Sequence, residues 1–185
     1  MAGVAQPGQT VPAFAAGDIV RAMFRLFLLA LALLAPAGAA DDWGPAQFLL
    51  GRWIGEGGGQ PGQGKGGFSF ERDLQGAVLI RKNYAEYPPA KGKPGFRHDD
   101  LTVIYRDEAS KEIRATYFDN EGHMIPYAVK PEPDGVVFVS DGPATAPRYR
   151  LTYTRAGADR LKLKFEIAPP GKDFATYIEA AARRE

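Results

Sequence analysis

Tyrosine and arginine side chains supply most of the chemistry that this sequence offers. Phenol hydroxyls and guanidinium groups on an apolar wall can hold a carboxylate or a phenol while the hydrocarbon part of the same molecule is buried. Strand alternation places Tyr117 on the face opposite to Arg114, so one of the two faces the interior. We therefore predict a ligand site that draws on six residues: Arg114, Tyr117, Tyr84, Tyr153, His123 and Arg150.

A structural role is the alternative for the same residues. Tyrosine often packs its ring against a core and leaves its hydroxyl in water, and arginine often lies along an outer face with its guanidinium group solvated. The sequence leaves both arrangements open.

Nucleophilic catalysis finds little support. The chain has no cysteine, and its serines after residue 40 do not lie in a strained turn of the kind that exposes a nucleophile. We assign no catalytic residue. A proton-transfer enzyme of the decarboxylase or isomerase type is an alternative, in which tyrosine and arginine hold a substrate carboxylate. Its proton carriers would be Glu86, Glu121 or His123.

Two other motifs have the residue types of binding sites without the required context. Glycine spacings between Gly57 and Gly67 are similar to phosphate-binding loops, but such loops need a helix directly after them, and a strand pattern follows at Phe68. We expect a flexible connector there. His98-Asp99-Asp100 are metal-ligating types, but neighbours on a strand point to opposite faces and a distant partner such as His123 would be required, so we expect a solvated loop end and no bound metal.

Residues 23–40 have the pattern of an export signal. Arg25 precedes an apolar segment that is too short to cross a bilayer, and Ala37-Gly38-Ala39 matches a cleavage site. A membrane anchor is the alternative. We predict a single domain over residues 41–185 in a periplasmic or secreted protein. Residues 1–22 are either a disordered extension or an over-called start that is never translated.

Charge argues against nucleic acid as a partner. The whole chain carries a formal charge of +1, and removal of residues 1–40 takes away Arg21, Arg25 and Asp18, which leaves a formal charge of zero. A neutral chain has no basic field that would attract a polyanion.

The elements that must position these residues are strands. A short helical turn at Gly44 to Leu50 is followed by runs with a period close to two, separated by short polar links. No helix-length pattern lies between any two runs, so parallel units are disfavoured. The predicted fold is all-β: an antiparallel meander of about ten strands that closes into a barrel, because closure removes unpaired edges. The last run, Phe174 to Ala182, has a helical tail as its alternative.

Residues 50–57 resemble the first strand of the calycin group of barrels. The Leu-Gly-x-Trp-x-Gly-x-Gly pattern, with Gly51, Trp53, Gly55 and Gly57, is especially similar to nitrobindins and to bacterial lipocalin-like domains of unknown function. The resemblance implies a barrel whose closed end is plugged by Trp53. It also implies that an arginine near the C-terminus, which we assign to Arg183, stacks on that ring, although Arg184 and Arg155 are rivals.

The same resemblance raises the question of haem. Nitrobindins bind haem through a histidine in their C-terminal portion, whereas the histidines here are His98 and His123. Tyrosine also ligates ferric iron in some proteins, and Tyr177 lies in the C-terminal portion of this chain. A lone tyrosine on a predicted strand is more often a packing residue, so we do not assign it to haem. We therefore expect no cofactor.

Three functional hypotheses follow from these observations. The first is an exported barrel that binds a small apolar or amphipathic molecule and acts as a monomer or small homo-oligomer. The second is the proton-transfer enzyme. The third is an envelope interaction module with a filled core, which would show an exposed apolar patch in place of a cavity.

Overall fold

A computed structural model describes residues 43–56, 65–89 and 92–185. The predicted extension at 1–22 and the predicted signal at 23–40 lie outside these residues, as does Gly57. In the described part of the chain, no helix is long and apolar enough to span a membrane.

A 3₁₀ helix at Gly44–Leu49 leads into ten strands, and a single 3₁₀ turn at Leu74–Gly76 separates the second strand from the third. The strands are β1 Gly51–Glu56, β2 Lys65–Asp73, β3 Val78–Tyr87, β4 Phe96–Arg106, β5 Ile113–Asp119, β6 Met124–Glu132, β7 Gly135–Ser140, β8 Arg148–Arg155, β9 Arg160–Ala168 and β10 Ala175–Arg184.

The strands form a closed antiparallel meander. Each strand pairs with its neighbour in sequence, and β10 returns to pair with β1, where Trp53 lies opposite Arg184 and Glu56 opposite Ala181. Closure gives every strand two partners, which removes the exposed edges that an open sheet would leave. The predicted all-β meander barrel is confirmed.

One end of the barrel is filled by the 3₁₀ helix and by large apolar side chains; we call it the sealed end. Trp53 is 2% exposed, and its indole Nε1 donates a hydrogen bond to the Leu49 carbonyl oxygen at 2.8 Å. Leu79 and Ile104 are buried in the same hydrophobic cluster. Trp53 is therefore part of the packing that fills this end of the barrel.

The arginine that stacks on this indole is Arg184 and not Arg183. The Arg184 guanidinium carbon lies 4.3 Å from the Trp53 ring centroid, and its Nη1 donates to the Leu50 carbonyl oxygen at 2.7 Å. Successive strand residues point to opposite faces, so Arg183, one step earlier, is directed outward. The third candidate, Arg155, lies over Phe48 instead.

Glycines allow close backbone approach where the chain enters the barrel. Gly51 adopts a φ of +114°, which L-residues with a side chain rarely take. At Gly67 a Cβ atom would lie 2.9 Å from the Trp53 carbonyl oxygen.

The flexible connector predicted up to Gly67 ends earlier than expected, because Lys65 to Gly67 belong to β2.

One strand differs from the sequence expectation, and the strand predicted at the C-terminal end is confirmed. β4 begins at Phe96, so His98 to Asp100 lie within a strand and not at a solvated loop end. Three consecutive polar residues are typical of a loop, but they also occur on a strand whose inner face lines a cavity. β10 remains a strand through Ala180 to Ala182, because pairing with both β9 and β1 overrides their weak strand propensity.

Candidate functional site

The barrel is hollow at the end away from Trp53, which we call the open end. A cavity of about 590 Å³ lies there, above a floor that includes Phe68 and Phe138. This volume is in the range of pockets that bind small molecules, roughly 300–1,000 Å³. Strand alternation explains the lining, because every second residue of each strand faces the interior.

One side of the cavity is hydrophobic. Its side chains come from β8, β9 and β10, and this apolar wall consists of Leu151, Leu163, Phe165, Ile178 and Ala180. The alternation predicted for β9 is visible here: Leu161 is buried in the sealed end, and the next two inward residues line the cavity.

The opposite side is polar. In the ring of ten strands, β3, β4 and β5 lie across from β8, β9 and β10. This polar wall consists of Arg81 and Asn83 on β3, His98 and Asp100 on β4, and Tyr117 and Asp119 on β5. Register supports the grouping, since Asn83 is paired with Asp100 and Asp100 with Asp119.

A buried ion pair anchors the polar wall near the floor. Arg81 and Asp100 are both almost fully buried and are hydrogen-bonded through Arg81 Nη1, and Asn83 Nδ2 donates to the other carboxylate oxygen of Asp100 at 2.7 Å. Burial by itself lowers the pKa of Arg81, but the Asp100 carboxylate raises it above its ordinary value. Within the described residues, Arg81 Nε has no hydrogen-bond partner, although the Tyr153 hydroxyl is close enough to interact electrostatically. Asp100 is therefore held in place through both of its carboxylate oxygens.

His98 connects this ion pair to the open end. Its Nδ1 lies 2.8 Å from Glu121 Oε1, and its Nε2 lies 3.1 Å from the Tyr117 hydroxyl and 3.4 Å from Asp100 Oδ2. Asp100 is the main cause of a pKa raised to about 9; burial opposes the rise and Glu121 adds to it. At neutral pH the imidazole is therefore a cation between two carboxylates.

Asp119 organises the turn that follows β5. Burial alone would raise the pKa of its carboxyl group, but hydrogen bonds from the backbone and ring of His123, from the Tyr117 hydroxyl and from the Glu121 backbone lower it to about 2. The backbone N–H groups of Glu121 and His123 donate to Asp119 Oδ1 at 3.0 and 2.9 Å. This Asx-type turn holds both side chains over the cavity.

Three of these side chains could also hold a metal ion. Ligand atoms of His98, Asp119 and Glu121 all lie within 4.8 Å of one another. An imidazole nitrogen with two carboxylate oxygens is a ligand set that suits divalent transition metals.

The six residues predicted for the site are divided between two faces. Tyr117 and His123 line the cavity, and Tyr84 touches its rim while its ring packs under Arg97 on the outside. Tyr153 is fully buried below the floor. Arg114 and Arg150 point outward, where they form ion pairs with Asp141 and Glu166.

Much of the polar wall was not predicted. The six residues predicted for the site do not include Arg81, Asn83, Asp100 or Asp119, and the sequence pattern predicts His98 at a loop end. The sequence does contain a signal for this wall, because β3, β4 and β5 each have two of its polar residues at positions i and i+2. Reading that signal requires knowing which face of each strand is inward, which the strand register provides.

No protein-family model matches this chain, and a search of curated proteins found no match. The geometry of the cavity is therefore the basis on which its function is proposed.

Proposed function

We propose that this chain is an exported barrel, periplasmic or secreted, that binds a small apolar or amphipathic molecule. The observation that carries the proposal is the cavity of about 590 Å³ with an apolar wall directly across from a polar one. The similarity of residues 50–57 to the first strand of nitrobindins and lipocalin-like domains also supports a binding role.

The two walls would contact different parts of the ligand. Hydrocarbon groups of the ligand pack against Leu151, Leu163 and Ile178, where each Å² of apolar surface removed from water contributes about 25 cal/mol. Polar groups of the ligand meet Glu121, whose half-exposed carboxylate retains free acceptor positions beside the charged His98 ring. The ligand would therefore lie across the barrel with its polar end toward β4 and β5.

A proton-transfer enzyme is the second candidate, and His98 is the observation that favours it. A protonated imidazole beside a carboxylate has the groups of an acid–base pair, and both His98 and Glu121 line the cavity. Of the other proton carriers considered, His123 also lines the cavity, whereas Glu86 is paired with Arg97 on the outer face. A filled interaction module fits less well, because the interior is hollow.

Titration with the fluorescent apolar probe N-phenyl-1-naphthylamine tests the binding proposal. We expect saturable binding to the wild-type protein and at least about ten-fold weaker binding to Ala180→Phe, because the added ring occupies the apolar wall. Arg114→Ala is the control, since its side chain lies on the outer face in an ion pair with Asp141.

Unfolding curves identify whether Ala180→Phe remains folded. Equal probe affinity in the wild type and in folded Ala180→Phe would show that the cavity is not the binding site. A loss of affinity in Arg114→Ala alone would place the site on the outer surface.

A further inference from the structure

We propose that His98, Asp119 and Glu121 form a binding site for a divalent transition metal ion of the zinc type at the open end of the barrel. The site goes beyond binding of an apolar molecule and does not depend on it. The three side chains come from β4, from the end of β5 and from the turn after it, and each of them lines the cavity.

The spacing of the three side chains is close to that of a coordination sphere. Their ligand atoms lie within 4.8 Å of one another, and two atoms bonded to one zinc ion at about 2 Å each are at most about 4 Å apart. Asp119 is fixed, because its side chain is 4% exposed and is held by backbone N–H groups. Glu121 is half exposed and has room to move. Rotation of Glu121 and His98, with displacement of the Tyr117 hydroxyl from Asp119 Oδ2, would bring the ligands to bonding distance.

The donor atoms select the class of ion. Calcium and magnesium are bound mainly by oxygen, whereas one imidazole nitrogen with two carboxylate oxygens suits zinc and similar transition metals. In the present structure His98 has carboxylates on both sides of its ring. A divalent cation bound there would compensate the same negative charges that the imidazolium now compensates.

The surroundings of His98 are those of a metal-binding imidazole. When one ring nitrogen binds a metal, the other is usually oriented by a carboxylate or a carbonyl oxygen. Asp100 Oδ2 lies 3.4 Å from Nε2, while Nδ1 faces Glu121. Asp100 itself is buried and is held by Arg81 and Asn83. The polar wall thus supplies an outer partner as well as the ligands.

The bound ion would have an open side. Three protein ligands leave at least one position for water or for a polar group of a molecule in the cavity. His123 lies on the solvent side, 2.8 Å from Asp119 Oδ2 through its Nδ1, with an exposed ring. Its role would be to orient Asp119 from outside.

Calorimetric titration of the full chain with Zn²⁺ alone, after treatment with a chelator, tests the site. We expect one saturable binding event per chain. Glu121→Gln should bind Zn²⁺ at least about ten-fold more weakly, because it removes a charged ligand. Glu86→Gln is the matched control: it removes a carboxylate at the same end of the barrel, but one that faces outward and pairs with Arg97.

His98→Ala is the second variant to be titrated with Zn²⁺, and its binding should also be weaker than that of the wild type. Circular dichroism verifies that this variant is folded. If the wild type shows no saturable Zn²⁺ binding, or if folded Glu121→Gln binds as tightly as Glu86→Gln, the metal site is wrong. Titration with N-phenyl-1-naphthylamine in the presence of chelator separates the two proposals, because probe binding without Zn²⁺ binding would remove the metal site and leave the ligand cavity.

Discussion

The two ends of this barrel are built from the same strands and differ in what their inward residues do. Along β3 the inward side chains change from Leu79 at the sealed end to Arg81 and Asn83 at the open end, and β4 changes in the same way from Ile104 to Asp100 and His98. The sealed end is filled and apolar, whereas the open end is hollow and charged. A single strand therefore contributes to the packed core at one end and to the lining of the cavity at the other.

Aromatic rings from several strands meet in the interior next to the sealed end. Phe70 and Phe138 lie edge-on to the Tyr153 ring, with centroids 5.5 and 6.0 Å apart, and Phe68 packs against the same tyrosine. Such pairs add about 0.5–1.5 kcal/mol each beyond the area they bury. At the open end, Phe165 stacks on Tyr149 along one side of the cavity with ring centroids 6.1 Å apart, and the space across the barrel remains empty.

The largest difference between the two ends should appear when Trp53 is removed. Trp53→Ala should lower the free energy of unfolding by about 3–5 kcal/mol, because it leaves a cavity in a packed core. Tyr177→Ala, a half-exposed ring at the open end, should cost at most about 1 kcal/mol. Urea unfolding measures both. Comparable costs for the two variants would contradict a stabilising role specific to the sealed end.

A smaller effect should separate two adjacent arginines. Arg184→Gln should cost about 2 kcal/mol, since it removes the stacking on Trp53 and the hydrogen bond to the Leu50 carbonyl oxygen. Arg183→Gln should change the unfolding free energy by about 0.5 kcal/mol or less, because that side chain is exposed. Urea unfolding compares the two variants. A larger loss of unfolding free energy in Arg183→Gln than in Arg184→Gln would contradict the stacking of Arg184 on Trp53.

The smallest effect concerns the outer face, where Glu166 is paired with Arg150 and Lys164. The hydrogen bond from Arg150 is the main cause of a Glu166 pKa lowered from 4.5 to about 2; burial opposes the shift and Lys164 adds to it. The unfolded chain therefore binds the proton first as the pH falls, so this stabilisation is complete above about pH 4.5 and is lost toward pH 2.

Replacing this carboxylate tests that dependence. Glu166→Gln should lower the unfolding free energy by about 1 kcal/mol at pH 7, because both cationic partners are partly exposed to solvent. The gap to the wild type should narrow as the pH falls from 4.5 to 3. Urea curves at several pH values measure it, and a gap that stays constant or widens in acid would show that the ion pair does not act as described.

The sequence predicts the barrel well because the relevant signals are local. Alternation within each strand, short polar links and the pattern around Trp53 are sufficient for the number of strands and their closure. The polar wall depends on register, which is not local. Ile80 and Leu79 are adjacent apolar residues on β3, and Val103 and Ile104 on β4, so alternation does not reveal which of each pair faces inward.

An error of one residue in the predicted strand register assigns every side chain of that strand to the wrong face of the barrel. Arg183 and Arg184 differ by a single step, yet one is exposed and the other stacks on the indole. The same parity directs Arg114 outward and Tyr117 into the cavity. Register therefore decides which tyrosines and arginines can meet a ligand, and residue type alone cannot.

Methyl NMR during titration with N-phenyl-1-naphthylamine tests the difference between the two ends most directly. We expect saturable chemical-shift changes at the methyl groups of the apolar wall, Leu151, Leu163 and Ile178. The buried methyl groups of the sealed end should change little; these belong to Leu79, Ile104 and Leu161. Changes confined to the sealed end or to the outer surface, or no saturable change in the cavity, would contradict a ligand site in the open half of the barrel.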